Sequence, residues 1–201
     1  MTHTTMSDIL GPRFATVSID AARALSQLSL PTDAAILDVG TGSGNFAIYL
    51  ALQGYQVLTG EPDTDQSRYA RRDWAASAER AGVRDRIRFQ SFDASTLPFE
   101  NACFDAVFFF GVLHHIPEEQ RPAVLREALR VSKPGGAVVF FEPRRAMLDQ
   151  IWVEDPHHPL AANPSLYLPD AAVTEHRIEG DYMDIIFYSR ERPVAISPAA
   201  S

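Results

Sequence analysis

The chain has 201 residues, 46% of them hydrophobic, and a net charge of −8. That suffices for one domain with its own core, and the acidic balance argues against nucleic acid or an anionic membrane surface as a partner. One cysteine, Cys103, excludes an internal disulfide and a cysteine-based metal cluster.

No apolar run reaches the roughly 20 residues that span a bilayer, and "MTHTTMSDIL" lacks the pattern of a signal peptide. A cytoplasmic enzyme or binding domain is the expectation. Residues 1–12 read as a flexible terminus, residues 13–192 as a single domain and residues 193–201 as a flexible tail.

From Phe14, apolar residues recur at Val17, Ala21, Ala24, Leu25 and Leu28 with helical spacing, and Pro31 ends that helix. "AAILDV" is a short apolar run without alternation, the pattern of a strand buried on both faces of a parallel sheet. "NFAIYLALQ" predicts a helix closed by Gly54, and "YQVLTG" a second strand. "DQSRYARRDWAASAERAG" predicts a helix with Asp65 as N-cap, Gly82 as stop, and Ala70, Trp74, Ala78 and Ala81 as its buried stripe. "RIRFQSF" and "FDAVFFFG" predict strands three and four. "RPAVLREALRVS" predicts a helix ended by "KPGG", followed by strand five in "AVVFFE". Residues 143–172 hold five prolines and little periodicity. "VTEHRIEG" and "YMDIIFYS" then predict an antiparallel pair. Strands alternating with helices imply a parallel α/β sheet covered on both faces.

Gly40, Gly42 and Gly44 are spaced G-x-G-x-G directly after strand one, one residue tighter than the dinucleotide pattern G-x-G-x-x-G. Such a loop lets a ligand reach the backbone, and the helix that follows offers free N–H groups to an anion. Three acids stand near: Asp38 before the loop, Glu61 at the end of strand two, and Asp93 at the end of strand three. Glu61 lies where a ribose hydroxyl would need an acceptor.

"LDVGTGSGN", "TGEPD", "FDASTLPF", "FDAVFFFGVLHHI" and "VSKPGG", in this order, resemble the consecutive motifs of class I S-adenosylmethionine-dependent methyltransferases of the small-molecule branch. The resemblance implies a Rossmann-like three-layer sandwich, with a seven-stranded, mostly parallel sheet and an antiparallel C-terminal strand. It implies S-adenosylmethionine as cofactor, S-adenosylhomocysteine as product and a small-molecule methyl acceptor. In that picture Gly40, Thr41, Gly42 and Gly44 carry the methionine part, and Asp38 orients the loop and the ammonium. Glu61 takes the ribose hydroxyls, Pro62 packs beside the adenine, Asp93 and the Ala94 N–H bind the adenine edge, and Phe110 and Gly111 border the sulfonium. No (Asp/Asn)-Pro-Pro-(Tyr/Phe) tetrapeptide follows strand four, which counts against amide or base nitrogens as acceptors. The competing readings are a non-catalytic cofactor-binding protein of the same fold and a nicotinamide-dependent oxidoreductase.

His115 is the first candidate for a general base and His114 the second, since both follow strand four at the ligand edge. His157 and His158 read as a solvated loop, and no metal is expected. Residues 143–172, with the helix starting near Phe14, are expected to form the acceptor pocket, with Phe14, Trp152, Leu160, Leu166 and Tyr167 as apolar walls and Phe109 and Phe110 as floor. A second subunit, hence a homodimer, is the alternative cover.

Overall fold

The computed structural model describes residues 5–70, 73–169 and 173–190. Two helices precede the sheet. The first, α1 (Met6–Leu10), starts at a capping box between Thr5 and Asp8. Met6 and Leu10 pack against the core, so the stretch read as a flexible terminus is helical from Met6; residues 1–4 and the expected tail lie outside the described residues. The second, α2 (Pro12–Leu25), buries Phe14, Val17, Ala21 and Ala24, the stripe that the periodicity marks.

The chain then runs through β1 (Ile36–Val39), α3 (Asn45–Leu52), β2 (Val57–Gly60), α4 (Trp74–Arg80), β3 (Ile87–Phe89), β4 (Phe104–Phe110), α5 (Arg121–Val131), β5 (Ser132–Pro143), α6 (Arg145–Glu154), β6 (Val173–Glu179) and β7 (Met183–Arg190). The strands form one seven-stranded sheet in the order β3-β2-β1-β4-β5-β7-β6. The first five are parallel; β7 runs antiparallel to β5, and β6 antiparallel to β7. Successive side chains alternate between the two faces. Phe108, Val139 and Phe141 face the layer of α2 and α3, while Val107, Phe109 and Phe140 face α5. The strand order reverses between β1 and β4, which opens a crevice at their carboxyl ends.

Three expectations are corrected. The helix expected from Asp65 begins at Trp74, capped by Asp73. Asp65 instead accepts the Ser67 N–H at 2.7 Å, a local turn that competes with helix formation. Strand five begins at Ser132 rather than Ala137, with a register shift opposite Phe104 and Ala106 that absorbs "KPGG". Residues 145–154 form α6 inside the proline-rich stretch. The prolines flank this helix, at Pro143 and Pro156, and so do not break it.

The C-terminal hairpin is tied down by a buried acid. Asp20 on α2 accepts the N–H groups of Asp181, Tyr182 and Met183 at 2.7–2.8 Å. No helix among the described residues is long and apolar enough to cross a membrane.

Candidate functional site

A cleft of about 1100 Å³ opens at the carboxyl ends of the strands. Gly40, Thr41, Gly42, Glu61, Pro62, Asp93, Ala94, Phe110 and Gly111 all border it, as the motif order implies. Asp38 and Gly44 do not border it. Gly44 opens α3 in a left-handed conformation (φ +77°), and a Cβ there would stand 2.7 Å from that of Trp74. Its glycine is demanded by packing behind the loop.

Glu61 crosses from β2 to the loop, where one carboxylate oxygen accepts the Gly42 N–H at 2.9 Å. Beneath the loop, Asp38 is 1% exposed and accepts from the Thr59 hydroxyl at 2.8 Å; Thr59 in turn meets Thr41 at 2.9 Å. Burial pushes the Asp38 carboxyl up to about 7; the Thr59 hydrogen bond opposes this and the Glu61 charge adds to it. Asp38 Oδ1 has no partner among the described residues, which is costly for a buried oxygen. Asp93 is exposed and orders its own turn through the Ser95 N–H and hydroxyl, both at 2.7 Å. Phe110 stacks on Phe46 at 5.0 Å and borders the far side of the loop. An orphaned buried carboxylate oxygen, a bare backbone at Gly42 and an acid reaching over it suit a ligand that carries an ammonium, a carboxylate and a diol.

The other end of the cleft is walled by imidazoles. His114 and His115 sit in a 3-10 turn just past β4. His114 is buried, and its Nδ1 lies 2.9 Å from Glu142 Oε2, at the end of β5. The same oxygen accepts the Ala162 N–H at 2.8 Å. His158, read above as part of a solvated loop, is 7% exposed and joins them. Its ring centroid lies 5.0 Å from that of His114 and 4.9 Å from that of His115. Its Nδ1 is 2.9 Å from the Pro159 carbonyl. His115 is exposed and lines the cleft. Desolvation, then the charges of His114 and His158, holds its ring below the ordinary histidine value, and desolvation likewise lowers His158.

Tyr69 seals this wall. Its ring lies 4.8 Å from that of His115, and its hydroxyl donates to Asp155 just past α6. Burial and this contact raise the Tyr69 hydroxyl to about 12, and the same hydrogen bond lowers Asp155. Arg68 adds a bond to the Glu154 carbonyl at 3.2 Å. The segment after β2 is thereby joined to the end of α6.

The walls of this end of the cleft differ from those expected for an acceptor pocket. Phe14 is core, 3% exposed, and does not reach the cleft; Arg13, Thr16 and Val17 line it instead. Trp152 stands behind the wall, where its Nε1 donates to the His158 carbonyl at 2.8 Å. Tyr167 packs elsewhere, with its hydroxyl between Arg121 and Glu118. Leu160 and Leu166 are exposed, and Phe109 is fully buried. From residues 143–172, the segment expected to form that pocket, Met147, Gln150 and Ile151 of α6 line the cleft. Tyr69, Glu142 and Asp155 were not singled out in the sequence. An acid closing the apolar run "AVVFFE" was the available sign for Glu142.

A family model described as a methyltransferase domain matches residues 37–140. The chain belongs to this family of methyltransferases. It is similar to the 27-O-demethylrifamycin SV methyltransferase of Amycolatopsis mediterranei, 36% identical over 114 residues, 57% of this chain and 40% of that one. A demethylmenaquinone methyltransferase of Clavibacter sepedonicus is 35% identical over 107 residues, again covering 40% of the relative and 53% of this chain. The matches thus span about 40% of the length of these relatives. Among solved structures, the PH0226 protein from Pyrococcus horikoshii superposes with a TM-score of 0.70 at 19% identity, covering 92% of this chain and 94% of that one. Human N-acetylserotonin methyltransferase, solved with S-adenosylmethionine, gives 0.64 at 17% identity over 93% of this chain and 55% of its own. At such identities the likeness is one of fold.

Proposed function

We propose that the protein transfers a methyl group from S-adenosylmethionine to a hydroxyl oxygen of a small, largely apolar acceptor. The observation that carries this reading is the pairing, in one cleft, of the Gly42–Glu61 loop with a wall of three imidazoles. The cofactor supplies a methyl already activated on a positively charged sulfur. Glu61 takes the ribose diol, the loop N–H groups take the carboxylate, and Asp38 answers the ammonium, directly or through water. Asp93 and the Ala94 N–H hold the adenine edge beside Pro62, and Phe110 and Gly111 border the sulfur.

The chain's own task is to hold the acceptor in line and exclude water. With the cofactor bound, the oxygen would bond the methyl carbon as the carbon–sulfur bond breaks, the electron pair would stay on sulfur, and the hydroxyl proton would pass to an imidazole of this wall. An amine would arrive neutral and need no base. Three imidazoles beside the transfer point, one oriented by a buried carboxylate, serve an acceptor that must lose a proton. His115 is the ring most open to the cleft. Met147, Ile151 and Val17 supply apolar contact.

Calorimetric titration with S-adenosylhomocysteine, with NAD as control, tests the cofactor assignment; binding of NAD alone would overturn it. Labelled cofactor incubated with phenols, quinols, aliphatic alcohols, amines and carboxylates tests the acceptor. Labelling confined to amines would overturn the oxygen assignment.

A further inference from the structure

His158 is distant in sequence from the neighbouring pair His114 and His115, yet the three rings meet in space. One ring nitrogen of each lies within 4.8 Å of the others. A carbonyl can only accept, so at His158 the proton sits on Nδ1, facing the Pro159 oxygen, and the lone pair is on Nε2. At His114, Nδ1 faces the Glu142 oxygen that also accepts the Ala162 N–H, so the ring donates there and Nε2 keeps the lone pair. An imidazole whose Nδ1–H is committed to a carboxylate or carbonyl is in the state in which histidines bind metals. Two of these three rings are so oriented, one by each kind of partner. Glu142 is itself held by the Ala162 N–H. Trp152 fixes the His158 backbone from behind.

We propose that His114, His115 and His158 bind a divalent transition cation of the zinc class at the acceptor end of the cleft. Imidazole ligands suit such cations rather than magnesium or calcium. Three tetrahedral ligands require nitrogen separations of about 3.3 Å, so the rings close inward on loading; His115, on the open side, has room to do so. Glu142 and Asp155 supply compensating negative charge near the cation. Three protein ligands leave a coordination position open to the cleft, the arrangement of catalytic rather than structural sites. There the cation makes the acceptor hydroxyl acidic, and its proton leaves to water. The imidazoles then act as ligands rather than as free bases. This rests on the methyltransferase reading for its chemistry, but not for its test.

The test uses the untagged full chain, since a histidine tag would bind the same ions. After chelation and dialysis, the protein is loaded with Zn²⁺ and assayed by elemental analysis, and loaded with Co²⁺ and followed by its visible absorption. One ion per chain is expected, with the intense bands of low-coordinate cobalt. His158→Ala and His115→Ala should each weaken Zn²⁺ binding about 100-fold or more, and Trp152→Phe about 10-fold, while His157→Ala leaves it unchanged. S-adenosylhomocysteine affinity, measured on the same variants, should stay within about threefold of the parent and reports that the fold is intact. No retained ion, or equal retention by the His158→Ala protein, overturns the inference. If S-adenosylhomocysteine still binds in that case, the methyltransferase reading stands and the imidazoles act directly. An ion held by the three rings in a protein that does not bind S-adenosylhomocysteine overturns the methyltransferase reading instead.

Discussion

His114 Nδ1 and Glu142 Oε2 lie 2.9 Å apart with both side chains almost wholly buried, 2% and 3% exposed. The pair locks the turn after β4 to the end of β5, and through the Ala162 N–H it fixes the segment that carries His158. Glu142→Ala would strand a ring N–H and a backbone N–H in the interior, at a cost of about 2–4 kcal/mol. Glu142→Gln keeps an acceptor oxygen and should cost about half as much. Urea unfolding of both variants measures the difference. Equal losses would mean that the charge of Glu142, rather than its hydrogen bonds, sustains the fold here.

The loop offers a separation of binding from folding. Glu61→Ala removes the acceptor proposed for the ribose and also frees the Gly42 N–H. S-adenosylhomocysteine should bind about 10–100-fold more weakly, corresponding to about 1.4–2.7 kcal/mol. Gly42→Val puts a branched side chain on a residue at φ +49°, with the Tyr69 carbonyl 3.3 Å from the new Cβ. It should abolish binding at a folding cost of about 1–2 kcal/mol. Calorimetry beside thermal melts reads both effects. An undiminished affinity in folded Glu61→Ala protein would show that another group holds the ribose.

Asp38 makes stability and binding depend on pH. Its folded-state pKa is about 7, above the roughly 3.9 of the unfolded chain. Between those values the folded protein binds the extra proton, so this group's contribution is complete below about pH 4 and is lost as pH rises through about 7. The slope is at most about 1.4 kcal/mol per pH unit, and Asp38→Asn should flatten it. A ligand ammonium near Asp38 lowers its pKa, so binding of S-adenosylhomocysteine near pH 7 should release a proton. Binding heats in buffers of different ionisation enthalpy detect that release. Identical heats in every buffer would place the ammonium away from Asp38.

The Tyr69–Asp155 contact should govern access. Tyr69→Phe keeps the ring against His115 but removes the hydroxyl that reaches the end of α6. Stability should fall by only about 1 kcal/mol. Amide exchange in residues 145–154 should quicken, and S-adenosylhomocysteine should dissociate several-fold faster. Unchanged exchange across α6 would show that the helix is anchored by its own packing, with Leu148 buried beneath it.

The periodicity of 3.6 in α2 and the unbroken apolar runs of β1 and β4 sufficed to place the layers, because burial on one or both faces dictates those patterns locally. The glycine loop and the acids after β1, β2 and β3 were legible for a related reason. Each lies at a strand's carboxyl end, and parallel strands bring those ends to one edge. Helix α6 was harder to read, because prolines at its borders masked an ordinary helical stretch. At the imidazole end of the cleft, local pattern pointed to His114 and His115 alone. Tyr69 and Asp155 are 86 residues apart, and His114 and Glu142 are 28 apart. His158 meets the other two imidazoles only because α6 turns the chain back over the strand ends. Trp152 and Phe14, apolar and well placed in sequence, were drawn behind the walls by backbone and core contacts that no spacing encodes. Local chemistry determined the fold and the glycine-loop end of the cleft; the packing of distant segments decided which further side chains join the imidazoles at its other end.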